Sequence, residues 1–203
     1  MQAMRTTHLL YLHGFRSSPG SAKARQMAAL VQNAHPAVTW WCPQLPPSPR
    51  EAMRMVADGI AGWPGECMAV VGSSLGGFYA TWVMAQTGCK AVLLNPAVDP
   101  ARDLRRYIGE QTSWHDPRER FFFQPEFVDE LKALECPATP GPAEADRLMA
   151  VIAKGDEVLD WREMHTRYTR HAGTRIKLLD GGDHALGDFD DHIGEIMAFL
   201  ALA

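Results

Sequence analysis

Two kinds of segment alternate along the chain. Short, predominantly apolar runs occupy residues 8–12, 68–71, 90–94 and 148–153, with further strand-length segments at 38–42 and 175–179. Runs of this length, rich in Val and Leu and too short for a buried helix, predict strands of a parallel sheet covered on both faces. Between them, apolar residues recur every third or fourth position and predict helices over residues 21–33, 48–62, 76–86, 160–171 and 189–202. Ser21 and the Ser48-Pro49 pair stand where helix caps are needed. Strand and helix therefore alternate about six times, so the expected fold class is α/β. It has three layers, a mostly parallel sheet of about six strands with helices on both faces. In such sheets chemistry gathers beyond the carboxyl ends of the strands.

The rhythm breaks between residues 99 and 146. This stretch holds Pro100, Pro117, Pro125, Pro137, Pro140 and Pro142, with one helix expected across 126–134. It is too long for a simple connection and reads as a cap or lid inserted into a single domain spanning residues 1–203.

Composition narrows the possible partners. The 203 residues are 46% hydrophobic and 22% charged with a net charge of −4, a globular balance with no basic run to hold nucleic acid. The basic stretches at 102–106 and 118–120 are interrupted by acids and read as solvated faces. The four cysteines show no Cys-x-x-Cys spacing and no histidines at zinc-like intervals, so no metal or cofactor is expected. No run approaches the roughly 18 apolar residues of a membrane span. The expected setting is reduced and cytoplasmic, the expected partner is a small molecule, and the oligomeric state is left open.

The candidate chemistry centres on Gly72-Ser73-Ser74-Leu75-Gly76-Gly77, which joins the run at 68–71 to an Ala- and Met-rich helix. A Gly-x-Ser-x-Gly turn in a strand-turn-helix setting is what a nucleophile elbow requires, because the residues two before and two after the serine lack room for a Cβ. Gly72 and Gly76 flank Ser74 in that phase; Ser73 is out of phase. A serine hydroxyl needs a base, a carboxylate to orient the base, and donors for an oxyanion. Of the eight histidines, His184 follows the last predicted strand in a tight Gly-Gly-Asp-His loop and is the candidate base. His192 and His165 fall on predicted helices, His171 at a helix end and His115 in the insertion; His8 and His35 read as structural, and His13 as a loop brace. Asp156, just past the strand at 148–153, is preferred as the carboxylate over Asp160, which stands at a helix-cap position, and over Asp180 and Asp183. The backbone amides of Leu75, at a helix N-terminus, and Phe15, after His13-Gly14, are the candidate oxyanion donors.

These residues resemble the α/β-hydrolase superfamily. Nucleophile, acid and histidine run in the order Ser74, Asp156, His184, as that fold places them, and His13-Gly14-Phe15 resembles its oxyanion loop. More narrowly, residues 12–21 (LHGFRSSPGS), residues 72–80 (GSSLGGFYA) and Asn95-Pro96-Ala97 resemble the small bacterial YqiA-type esterases. The resemblance implies a compact form of the fold and a Ser-His-Asp triad. It also implies action on short acyl esters and acyl thioesters through an acyl-enzyme, with no cofactor.

Acyl preference is expected from the insertion, where Trp114, Phe121, Phe122, Phe123 and Phe127 concentrate aromatics. Trp114 and Phe122, with Arg16 beside the oxyanion loop, are the candidate substrate contacts. An aminopeptidase or amidase on the same fold, and a non-catalytic binding protein that kept it, are the rival readings. A nucleotide-binding sheet is opposed by the lack of a Gly-x-Gly-x-x-Gly order and of a Walker lysine.

Overall fold

The computed structural model describes residues 5–136, 145–170 and 173–202. Six strands form one sheet: β1 (His8–Leu12), β2 (Thr39–Trp41), β3 (Met68–Ser73), β4 (Lys90–Leu94), β7 (Leu148–Ala153) and β8 (Arg175–Leu179). Their order is β2-β1-β3-β4-β7-β8, and every neighbouring pair is parallel. β5 (Gly109–Thr112) and β6 (Arg120–Phe123) form a separate antiparallel pair.

Both faces of the sheet are covered, which is why its central strands read as continuous apolar runs. Along β1, Leu9 and Tyr11 pack on one side with Met27 and Val31 of α1 (Ala22–Ala34) and Ile196 of α7 (Asp190–Phe199). Leu10 and Leu12 pack on the other side with Val56 of α2 (Pro49–Ile60) and Val83 of α3 (Leu75–Thr87). α6 (Trp161–Thr169) adds Met164 and Tyr168 to that second side.

Several local signals act as the sequence suggests. Ser48 caps α2, its Oγ accepting the Glu51 amide at 3.2 Å with Pro49 in the first turn. Asp160 caps α6 by accepting the Arg162 amide at 2.9 Å. Ser21 occupies the cap position of α1 but makes no capping bond. β2 is shorter than the run at 38–42, and the expected end of α6 at His171 lies outside the described residues.

The stretch between β4 and β7 holds more regular structure than its prolines suggest. α4 (Pro100–Leu104) follows Asp99, whose side chain accepts the Arg102 amide. The β5–β6 pair and α5 (Pro125–Ala133) come next. Buried Glu130 of α5 accepts the Ser48 hydroxyl at 2.7 Å and the Arg50 amide at 3.1 Å, tying α5 to the start of α2. Pro137, Pro140 and Pro142 lie outside the described residues. Among the described residues no helix is long and apolar enough to cross a membrane.

Candidate active site

The turn between β3 and α3 explains the spacing of its glycines. A Cβ on Gly72 would lie 2.0 Å from the Gly76 carbonyl oxygen, and one on Gly76 would lie 1.9 Å from that of Leu12. Both contacts are with backbone and neither partner can swing away. Ser74, between them, takes φ 57° and ψ −120°, a strained conformation for a residue with a Cβ. The turn is held by the Ser74 amide on the Leu94 carbonyl at 3.0 Å and by the Ala97 amide on the Ser74 carbonyl at 3.0 Å.

At this tip the Ser74 Oγ lies 3.0 Å from Nε2 of His184, and Nδ1 of the same ring lies 2.8 Å from Oδ2 of Asp156. Three loops, after β3, β7 and β8, thus bring together side chains 110 and 28 positions apart in the chain. The Asp156 side chain is fully buried, and its second oxygen accepts the Val158 and Leu159 amides at 2.8 Å each. A carboxylate only accepts, so the proton on Nδ1 faces Asp156 and leaves the Nε2 lone pair for the serine hydroxyl.

The loop after β1 closes against the serine. A Cβ on Gly14 would lie 3.1 Å from the Ser74 Cβ and 3.6 Å from its Oγ, so this backbone approaches the hydroxyl closely. Among the described residues, the Phe15 and Leu75 amides donate to no other group. His13 braces the loop from within: Nδ1–H donates to the Gly14 carbonyl at 3.0 Å, and Nε2 accepts the Leu45 amide at 3.1 Å. Its burial pushes the imidazole pKa below the ordinary histidine range, which suits a neutral ring with one donor and one acceptor.

A cavity of about 530 Å³ opens beside this loop, lined by Phe15, Leu75, Tyr79, Leu45, Phe121 and Arg16 among others. Of the three candidate substrate contacts, Arg16 lines it. Its Nε donates to the Thr112 carbonyl at 2.6 Å, and its guanidinium stacks 4.1 Å from the Trp114 ring centroid. Trp114 and Phe122, 68% and 50% exposed, are not among the residues lining this cavity, whereas Phe121 is. Residues alternate sides along a strand, so Phe121 and Phe122 of β6 cannot both face inward. Phe15 touches Phe121 and Phe123 edge-on, at 5.8 and 5.3 Å, which docks the hairpin on the loop.

Among the described residues, the remaining histidines lie elsewhere. His192 pairs with Asp188 one turn back at 3.2 Å, His165 packs on Trp161, and His115 approaches Ser17 at 3.4 Å near the hairpin tip. Sequence reading missed the side chains that hold the His184 loop. Lys23 of α1 donates to the Ala185 carbonyl, and Glu157 accepts the His184 amide at 3.0 Å. Asn95 donates to the Asp183 and His184 carbonyls at 3.0 and 3.3 Å. A helix lysine and a strand-end asparagine carry no local signal of such a role.

The model of the uncharacterised protein family UPF0227 matches residues 8–201, nearly the whole chain. The protein belongs to the UPF0227 family. This is the YqiA-type group to which the motifs around Phe15 and Ser74 pointed. Solved structures share the fold at low identity. A protein from Agrobacterium vitis S4 is 17% identical, with 97% of this chain and 90% of that one covered at a TM-score of 0.74. Est1E from Butyrivibrio proteoclasticus with ferulic acid bound is 12% identical, with 98% and 88% covered at 0.71. A pyrethroid hydrolase from Sphingobium faniae JZ-2 is 15% identical, with 98% of each chain covered at 0.60. The UPF0227 chain therefore has the α/β-hydrolase fold.

Proposed function

We propose that this protein is a serine hydrolase that cleaves short acyl esters or acyl thioesters through an acyl-enzyme. The observation that carries the reading is the unbroken path from Ser74 Oγ through the His184 ring to a buried, doubly hydrogen-bonded Asp156. His184 takes the Ser74 proton as the oxygen attacks the carbonyl carbon, and Asp156 holds the ring in the tautomer that can do so. The Phe15 and Leu75 amides stabilise the tetrahedral oxyanion, Leu75 from the first turn of α3 where the helix dipole favours negative charge. The imidazolium returns its proton to the departing alcohol or thiol. Water then repeats the sequence on the acyl-serine.

The cavity beside Phe15 and Leu75 is of a size that takes small ligands, and its Leu, Tyr and Phe side chains suit an acyl chain. We read residues 99–146 as a cap on a single hydrolase domain, with the β5–β6 hairpin as the wall of that cavity. Est1E with ferulic acid and the pyrethroid hydrolase support a hydrolytic reading on this fold. The test is hydrolysis of p-nitrophenyl esters and acyl-CoA thioesters of graded chain length by wild type and Ser74→Ala. The reading expects the variant to lose on the order of 10⁴ to 10⁶ in turnover. Equal rates for the two proteins would reject it.

A further inference from the structure

We infer that Asn95 is a positioning residue that sets the reach of His184 toward Ser74, an inference that rests on the serine-hydrolase reading above. Asn95 directly follows β4, is fully buried, and takes φ +42°. Asparagine tolerates this left-handed region better than most side chains do. Every polar group of the residue that could serve the site is used. Its amide donates to the Val151 carbonyl at 2.9 Å, and its Oδ1 accepts the Ala153 amide at 2.8 Å. Its Nδ2 donates to the carbonyls of Asp183 at 3.0 Å and His184 at 3.3 Å.

These partners are the supports of the three reacting side chains. Ala153 ends β7, three residues before Asp156. Asp183 and His184 belong to the loop that delivers the imidazole. The preceding carbonyl, that of Leu94, holds the Ser74 amide. One side chain therefore couples the end of the acid-bearing strand to the histidine loop, directly beside the elbow. Only a group with one acceptor and two donors at this length does both.

The His184 loop is anchored on its far side by buried Leu186 and by the Leu186 amide on the Asp183 carbonyl at 3.1 Å, but the histidine itself sits in an open stretch. Gly181, Gly182, Asp183 and Ala185 are exposed, and no helix or strand includes them. Glu157 is exposed and Lys23 half-buried, so water competes for the bonds each makes to the loop. The Asn95 side chain is itself fully buried, and losing it leaves the buried Ala153 amide without a partner and removes both side-chain bonds to the loop. Without them the loop can move by an ångström while the sheet below it stays in place.

The test compares Asn95→Asp with Asn95→Gly. The first keeps an acceptor for Ala153 and replaces the donor with an oxygen facing two carbonyls. The second keeps the backbone freedom and removes the side chain. Both are assayed on p-nitrophenyl butyrate at a temperature where circular dichroism shows them folded, with the downfield proton resonance of the His184–Asp156 pair followed by NMR. A displacement of about 1 Å in a catalytic group costs roughly 10²-fold, so kcat should fall by that order while KM stays within about threefold. The resonance should broaden or vanish. A purely structural asparagine would lower Tm and leave both readouts in place. Folded variants with wild-type kcat and an intact resonance would overturn the inference, as would failure of both to fold. Those results leave the serine reading standing if Ser74→Ala is inactive. A fully active Ser74→Ala would instead remove the serine reading, and the positioning role with it.

Discussion

Replacing Asp156 by Asn tests the site through one proton. The Oδ1 of Asp156 accepts two backbone amides, from Val158 and Leu159, at 2.8 Å each, while Oδ2 faces Nδ1 of His184 at 2.8 Å. In Asp156→Asn the amide oxygen must stay on the two N–H groups, which turns the NH2 toward the ring. Nδ1 must then accept, the proton moves to Nε2, and Nε2–H confronts Ser74 Oγ at a 3.0 Å spacing. A protonated Nε2 cannot remove the serine proton. The opposite rotamer restores the tautomer but strands two amides against an NH2, at about 1–3 kcal/mol for each orphaned donor. With roughly 3 kcal/mol in total, the competent rotamer falls below about one molecule in a hundred. The expected loss in kcat therefore lies between about 10² and 10⁴, the upper figure corresponding to ~5.5 kcal/mol in the barrier. Because the loop bonds persist, Tm should change little. Steady-state hydrolysis of p-nitrophenyl butyrate and thermal melts of both proteins measure this. A folded Asp156→Asn protein within about threefold of wild-type turnover would refute the reasoning.

Two further outcomes test the scaffold around the site. In Gly76→Ala the new Cβ would stand 1.9 Å from the Leu12 carbonyl oxygen, and neither backbone can yield. Overpacking costs about 1–3 kcal/mol in ordinary cores, so this variant should lose at least ~3 kcal/mol in urea unfolding; an unchanged midpoint would show that the turn is looser than described. Burial pushes the Lys23 ammonium from its ordinary 10.5 down to about 8, with Asp183 and Asp156 opposing that shift. Between those values the unfolded chain holds a proton that the folded chain has released, so stability rises with pH from about 8 to 10.5. Wild type should gain on the order of 1–2 kcal/mol over Lys23→Met across that window, after allowance for solvent screening. Parallel stability curves for the two proteins would contradict the lowered Lys23 pKa.

What the chain reveals without coordinates follows from where its constraints are local. Both faces of the sheet are covered, so runs such as 91–94 and 148–153 had to be apolar throughout and were readable as strands. The elbow was readable because the Gly72 and Gly76 contacts lie within a few residues of Ser74 or on the adjacent strand. Asp160 could be separated from Asp156 because a cap serves the helix that follows it. The β5–β6 hairpin carried no such pattern. Residues 109–112 read Gly-Glu-Gln-Thr, and it is the docking of Phe121 and Phe123 on Phe15, a contact distant in sequence, that organises the pair. For the same reason Trp114 and Phe122 were expected at the substrate. An aromatic cluster gives no side to face until the pairing of β6 assigns one. Asn95 was readable only as part of the Asn95-Pro96-Ala97 motif and not for its bonds, because its partners lie 58, 88 and 89 positions away.

The most direct measurement is covalent. Wild-type protein treated with a fluorophosphonate and digested should yield one modified peptide, with the added mass on Ser74 and none on the adjacent Ser73. Ser74→Ala should yield none. Absence of an adduct on folded wild-type protein, or an adduct on another residue, would contradict a serine nucleophile at the β3–α3 turn.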